Sequence, residues 1–138
     1  MADFFVDTHH HFLPSEAVTY AKKTDDGDYP FILKRFSSAS RLMQDVEKTL
    51  AYMEACGIHM ALLSVGAWIP NGLETCRAIN DGYAKIQKEH PGKFIACAHV
   101  PVHQGAGAMD ELKRSMEVLG LQGIALITSY ARMTIDAD

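Results

Sequence analysis

The stretch Val6-Asp7-Thr8-His9-His10-His11-Phe12-Leu13-Pro14 decides how the rest of the chain is interpreted. An apolar run leads into it and a proline ends it, which is typical of a short strand that finishes in a polar cluster. Because alternate residues of a strand share a face, we expect Asp7, His9 and His11 to point one way. His10 then points to the opposite face. Two imidazoles at i and i+2 can bind one divalent metal ion, and the alternative is a chance histidine run or the remnant of a tag.

Composition narrows the class of protein. The chain has 138 residues, of which 48% are hydrophobic, and this predicts a single domain over residues 1–138. The formal net charge is −4 and no basic block occurs, so we expect neither nucleic acid nor a membrane surface as a partner. No apolar run approaches the roughly 18 residues of a membrane span. The three cysteines are widely spaced without a CxxC pair, which favours reduced thiols and a cytoplasmic location.

Apolar periodicity predicts alternating strands and helices. The predicted strands cover residues 4–9, 60–65, 94–99 and 122–128, and the predicted helices cover residues 40–55, 73–89 and 106–119. Residues 12–39 are expected to be irregular and to form the least ordered internal segment, a length typical of lids and binding loops. The strands are almost continuously apolar, which predicts a parallel α/β sheet in sequential order with helices on one side.

Two architectures fit this order of elements. One is the N-terminal half of a (β/α)₈ barrel, made of four βα units, and the other is an open doubly wound parallel sheet. No GxGxxG motif follows the first strand, so a dinucleotide site has no support. Polar residues stand at the carboxyl ends of the predicted strands, where both folds place their sites. These residues are His9, His11, Ser64, His99 and Thr128.

The chain also resembles a known family through an ordered series of motifs. V-D-x-H-x-H-x-x-P at residues 6–14 resembles the opening of the metal-dependent amidohydrolases. Within them, it resembles the branch of aminocarboxymuconate-semialdehyde decarboxylase and related aromatic-acid decarboxylases. Further similar segments are M-E-x-x-G-I at residues 53–58, Asn80-Asp81, the P-G-K-F at residues 91–94, Pro101 and residues 120–124. The resemblance covers nearly all of residues 4–136.

The resemblance implies a (β/α)₈ barrel with one catalytic divalent metal, zinc or alternatively manganese. The first two metal ligands of the family carry over to His9 and His11. Its third histidine ligand follows strand 5, its proton-transfer histidine lies near strand 6, and an aspartate follows strand 8. No position of this sequence corresponds to those three, so the catalytic residues stay unassigned. A full barrel has about 250 residues, and the resemblance therefore implies a single truncated barrel domain with strands 1–4 of eight.

Three residues are candidates for substrate binding, and each has an alternative role. Arg35 is placed to hold a substrate carboxylate as a bidentate partner, or is a solvated surface residue. Trp68 follows the second strand and either walls an aromatic substrate or anchors its loop. His99 either contacts substrate or is a hydrogen-bonded wall residue. Asp7 either orients a ligand histidine or is a polar residue at the start of the strand.

These features predict a metal-dependent decarboxylase or hydrolase that acts on a small carboxylated compound, unsaturated or aromatic. The chain alone is expected to lack turnover, because only two metal ligands are present. The alternative is a non-catalytic half-barrel that associates with itself. A four-stranded half-sheet has two open edges, and open edges favour pairing with another chain, so we expect a homo-oligomer.

Overall fold

A computed structural model of the chain describes residues 3–23, 41–65, 72–130 and 133–134. Four strands in these ranges form one sheet: β1 (Val6–His11), β2 (Met60–Ser64), β3 (Phe94–His99) and β4 (Gly123–Ala125). They lie in the order β1-β2-β3-β4, and each neighbouring pair is parallel. The predicted sequential order is confirmed. The first strand lies at an edge rather than in the middle, which argues against the doubly wound alternative.

The helices are α1 (Ser15–Lys23), α2 (Val46–Ala55), α3 (Leu73–Glu89) and α4 (Ala106–Lys113), which continues as a π-helical turn over Arg114–Val118. The predicted bounds of the helix over residues 73–89 are confirmed. The helix predicted over residues 40–55 begins later, at Val46, because Asp45 caps α2 by accepting a hydrogen bond from the backbone N–H of Lys48. The described helices include none that is long and apolar enough to cross a membrane.

The prediction that residues 12–39 are irregular is wrong over Ser15–Lys23, which form α1. Glu16 lies in the first turn of this helix and two lysines lie in its last turn, so its charges complement the helix dipole. Residues 24–40 lie outside the described part of the chain. Beyond β4, Ser129–Tyr130 pair with Met133–Thr134 as a short antiparallel ladder that the sequence did not predict.

The core lies on one face of the sheet. Ala61 and Leu63 of β2 are fully buried and cluster with apolar residues of α1, α2 and α3, and we call this face the outer face. The intervening residues Leu62 and Ser64 are only half-buried, and their side is called the inner face. The described helices therefore pack against one side of the sheet, as predicted.

Helix α3 fixes the chain where it leaves β1. The hydroxyl of Tyr83 donates a hydrogen bond to the carbonyl of Phe12 at 2.8 Å. Gly82 allows this close approach, because a Cβ at that position would lie only 2.2 Å from the Cβ of Pro14. The backbone N–H of Phe12 also donates to the carbonyl of Ser64 at 3.0 Å. The histidine stretch is thus held between β2 and α3 at its carboxyl end.

Candidate metal centre

The pairing of β1 with β2 contains a β-bulge within the histidine stretch. Asp7 aligns with Ala61 and His10 aligns with Leu63, so that three steps along β1 match two steps along β2. One residue of β1 between these two pairs is therefore extra. Because side chains alternate along a strand, one extra residue reverses the direction of every side chain that follows it.

The bulge turns Asp7 and His10 to the same side. Oδ2 of Asp7 lies 2.9 Å from Nδ1 of His10, and Oδ1 of Asp7 accepts the backbone N–H of His9 at 3.0 Å. The hydrogen bond from His10 is the main reason why the pKa of Asp7 lies below its ordinary value. The prediction that Asp7 shares a face with His9 and His11, opposite His10, is therefore wrong for Asp7. It assumed an alternation that the bulge interrupts.

His9 and His11 do lie together. Their ring centroids are 4.6 Å apart with an angle of 67° between the ring planes, and His11 aligns with Ser64 of the inner face. A zinc-bound imidazole nitrogen lies about 2.0–2.1 Å from the ion. Two rings in this arrangement can each direct one nitrogen to a common ion. The pair therefore fits two ligand positions of a divalent metal site.

The protonation state of His11 also suits a ligand. Burial lowers the pKa of His11, and the charge of neighbouring His9 lowers it further. A lowered pKa keeps the imidazole neutral at ordinary pH, which metal binding requires. Among residues 3–23, 41–65, 72–130 and 133–134, no group of three or more histidine, cysteine or carboxylate side chains is placed to hold a metal ion. The described residues thus offer at most two candidate ligands in one place, His9 and His11, whereas a catalytic zinc site usually has three protein ligands.

A cleft of about 300 Å³ lies beside the histidine stretch. His10 and His11 line it on the side of β1, and Thr49 and Tyr52 of α2 line it on the opposite side. The cleft lies between β1 and α2, and its volume is large enough for a small ligand.

His99 is fully buried at the end of β3. Its Nε2 accepts the backbone N–H of Val65 at 3.2 Å, and its ring centroid lies 6.0 Å from that of Tyr83. Burial lowers the pKa of His99 to about 3, so the imidazole is neutral at ordinary pH. Because one ring nitrogen is engaged with the end of β2, this geometry favours the wall role over direct contact with substrate. The other two substrate-binding candidates, Arg35 and Trp68, lie outside the described residues.

Sequence reasoning missed the side chains that hold His99 in place. Oδ1 of Asn80 accepts the backbone N–H of His99 at 2.8 Å, and its Nδ2 donates to the carbonyl of the same residue at 3.0 Å. The same Nδ2 donates to the carboxylate of Glu111 at 2.7 Å. The pair Asn80-Asp81 was noted in the sequence only as part of the family resemblance. Nothing in the local sequence indicated that Glu111 would be buried.

Glu111 is a buried charge with several partners. Arg114 donates to both of its carboxylate oxygens, at 2.8 and 2.9 Å, and Ser115 donates at 3.2 Å. Burial by itself would raise the pKa of Glu111, but the hydrogen bonds from Arg114 and Asn80 outweigh it and hold the pKa below its ordinary value. The carboxylate is therefore ionised, and it connects α4 through Asn80 to the end of β3.

Four parallel strands in sequential order, with β1 at an edge and the described helices on one side, place the chain among the α/β proteins of barrel type. The family model described as "Amidohydrolase" matches residues 6–133, and the chain belongs to the amidohydrolase family. Among curated relatives, gamma-resorcylate decarboxylase of Rhizobium sp. strain MTP-10005 is 31% identical over 99 residues, 67% of this chain and 30% of the relative. Decarboxylase yanB of Aspergillus niger is 31% identical over 137 residues, 91% of this chain and 35% of the relative.

Solved structures agree with this family assignment. The 2,6-dihydroxybenzoate decarboxylase from Rhizobium has a TM-score of 0.71 and 25% identity, over 96% of this chain and 40% of that one. A second similar structure is a dihydroxybenzoic acid decarboxylase from Polaromonas sp. JS666 with bound manganese and the inhibitor 2-nitroresorcinol. Its TM-score is 0.65 and its identity 23%, over 89% of this chain and 38% of that one. The predicted resemblance to decarboxylases of this family is confirmed. The chain spans 30–35% of the length of the curated relatives it matches.

Proposed function

We propose that this chain carries the first part of the active site of a metal-dependent decarboxylase that acts on a small aromatic carboxylate. The observation that carries the proposal is the pair His9 and His11, with ring centroids 4.6 Å apart at the carboxyl end of β1. The relatives at 31% identity are decarboxylases, which supports this reaction over hydrolysis. Hydrolysis is the other reaction that the sequence resemblance implied.

His9 and His11 are the proposed metal ligands. Their role is to present neutral imidazole nitrogens on the inner face, and the lowered pKa of His11 serves this role. A divalent ion bound there would act as a Lewis acid that stabilises negative charge on the substrate. Zinc suits two imidazoles, and manganese is the alternative that the Polaromonas decarboxylase supports.

We assign the substrate contacts on chemical grounds. Arg35 would pair with the substrate carboxylate, because a guanidinium binds a carboxylate through two parallel hydrogen bonds. Trp68 would pack against the aromatic ring, for which offset or edge-to-face contacts are favourable. His99 would contribute as a wall residue, since its neutral ring already accepts a hydrogen bond from the end of β2.

The proposed domain is strands 1–4 of an eight-stranded barrel, with edges that pair with further polypeptide. Exposed apolar side chains near both edge strands support such pairing, because Phe4 just before β1 is 64% exposed and Ile124 of β4 is 39% exposed. In the isolated chain these edges favour self-association. The same exposure supports the second candidate, a non-catalytic half-barrel that associates with itself. Light scattering should give a mass above the 15.2 kDa of one chain, and a stable monomer at high concentration would contradict both self-association and this second candidate.

Titration of the purified 138-residue protein with Zn²⁺ and Mn²⁺, followed by calorimetry, tests the metal site. We expect binding of one ion per chain in the wild type and its loss in the double variant His9→Ala, His11→Ala. The control is His90→Gln, which removes a histidine ahead of β3 at the opposite end of the sheet. Equal binding in the wild type and the double variant would refute the proposed ligands.

The substrate class is tested separately with 2-nitroresorcinol, whose absorbance reports its ionisation and its coordination to a metal. We expect the metal-loaded wild type to shift this absorbance and the double variant to leave it unchanged. If the metal binds but neither 2-nitroresorcinol nor 2,6-dihydroxybenzoate does, the metal site is retained and the aromatic carboxylate is rejected as the substrate class.

A further inference from the structure

The bulge in β1 decides which face carries the two candidate ligands. Unbroken pairing onward from Asp7 and Ala61 would align His9 with Leu63, two positions further along each strand. Leu63 belongs to the outer face and is fully buried beneath the helices. Both histidines would then point into an apolar core, where an imidazole without hydrogen-bond partners is costly. The single extra residue therefore directs His9 and His11 to the inner face.

One carboxylate holds this bulge from two directions. The residues of a bulge do not all take part in the regular ladder, so their backbone groups need other partners. His9 lies inside the bulge, and its backbone N–H donates a hydrogen bond to Oδ1 of Asp7 at 3.0 Å. Oδ2 of Asp7 lies 2.9 Å from Nδ1 of His10, the first residue that pairs again with β2. Asp7 thus bridges the bulged residue and the residue at which the new register begins.

We propose that Asp7 is a positioning residue that fixes the β1 bulge and thereby aims His9 and His11 at the metal. The inference rests on the proposed function in one respect, that these two histidines are the ligands. It differs from the usual role of a carboxylate near a metal, which is to accept a hydrogen bond from the ring of a ligand histidine. Here the carboxylate bonds to the backbone of one candidate ligand and to the ring of His10, which is not a candidate ligand.

The test compares three variants with a control of matched charge. Asp7→Ala removes both hydrogen bonds, Asp7→Asn retains one side-chain oxygen as an acceptor, and His10→Ala removes only the contact to the ring. Asp3→Asn makes the same change of charge on an exposed residue shortly before β1. Far-ultraviolet circular dichroism establishes that each variant is folded. If Asp7→Ala does not fold, Asp7→Asn and His10→Ala carry the comparison.

The first measurement needs no metal. Amide hydrogen exchange of the peptides that cover β1 should rise at least about tenfold in Asp7→Ala, because the N–H of His9 loses its acceptor and the bulge its bridge. Exchange should rise less in Asp7→Asn and His10→Ala, and should be unchanged in Asp3→Asn. Wild-type exchange in all three variants would overturn the inference.

The second measurement is the affinity for Mn²⁺. Loss of a residue that orients metal ligands typically costs about 10- to 100-fold in affinity, and we expect a loss in that range for Asp7→Ala and a smaller one for His10→Ala. Unchanged affinity in Asp7→Ala together with faster exchange would overturn the link between the bulge and the metal. If the wild type binds no metal but exchange still rises in Asp7→Ala, the proposed function fails while the role of Asp7 in fixing the bulge is supported.

Discussion

Replacing Asn80 with alanine removes the side chain that joins α4 to the end of β3. Asn80 makes two hydrogen bonds to the backbone of His99 and one to the ionised carboxylate of Glu111. A neutral hydrogen bond contributes about 1 kcal/mol and one to a charged group about 1.5–3 kcal/mol, so we expect Asn80→Ala to lower the free energy of unfolding by about 3–5 kcal/mol. The buried groups of His99 and Glu111 left without this partner account for much of the loss.

Urea denaturation at one fixed protein concentration measures the effect, because association would otherwise alter the apparent stability. The control is Asp81→Ala on the same helix. Asp81 is about half exposed and pairs with Arg114 at 2.7 Å, and an exposed ion pair contributes at most about 1 kcal/mol. If Asn80→Ala costs no more than Asp81→Ala, then the hydrogen bonds of Asn80 do not stabilise the end of β3 and the argument is wrong.

Three further predictions follow from single positions. Gly82→Ala should lower the free energy of unfolding by about 1–3 kcal/mol in a urea titration, because the added Cβ would overlap Pro14. The control is Gly107→Ala, whose Cβ would meet only the tip of the Leu73 side chain and should cost less. Burial lowers the pKa of His99 from 6.5 to about 3, so as the pH falls between these values the unfolded chain takes up a proton that the folded chain does not. The free energy of unfolding should therefore fall by up to about 1.4 kcal/mol per pH unit in this range. His99→Gln should flatten that slope, and an unchanged slope would contradict the burial of a neutral imidazole. Purified 138-residue protein with Mn²⁺ or Zn²⁺ should release no carbon dioxide from 2,6-dihydroxybenzoate, because the described residues contain no group of three or more side chains placed to hold a metal ion. Measurable release would refute this.

The sheet was predictable because β2 and β3 are short apolar runs whose assignment needs no knowledge of their partners. The strand predicted over residues 94–99 and the helix predicted over residues 73–89 match the structure in their bounds. Helix α1 was not predictable in the same way, because the buried apolar residues Ala17 and Val18 are adjacent in sequence and do not by themselves form a helical period. The fourth strand was predicted too long for a related reason. Half of the apolar run that suggested it lies beyond Ala125, where pairing with β3 has ended.

The candidate site was predictable only where it is local. The pair His9 and His11 follows from spacing alone, and the structure brings the rings together. The direction of Asp7 depends on how β1 aligns with β2, more than fifty residues away in sequence. The contact of Asn80 with Glu111 likewise joins residues 31 positions apart. Spacing within one segment cannot reveal a register or a partner that another segment supplies.

The hydrogen bond between Tyr83 and Phe12 has a consequence for the order of folding. It joins residues 71 positions apart, and closing so large a loop costs more entropy than forming the contacts of α3 with β3. Local contacts form early and distant ones late, so α3 and β3 should assemble before β1 docks. The histidine stretch is then among the last parts of the chain to become fixed. If His9 and His11 bind a metal ion as proposed, its binding during refolding would therefore report a late step, the docking of β1.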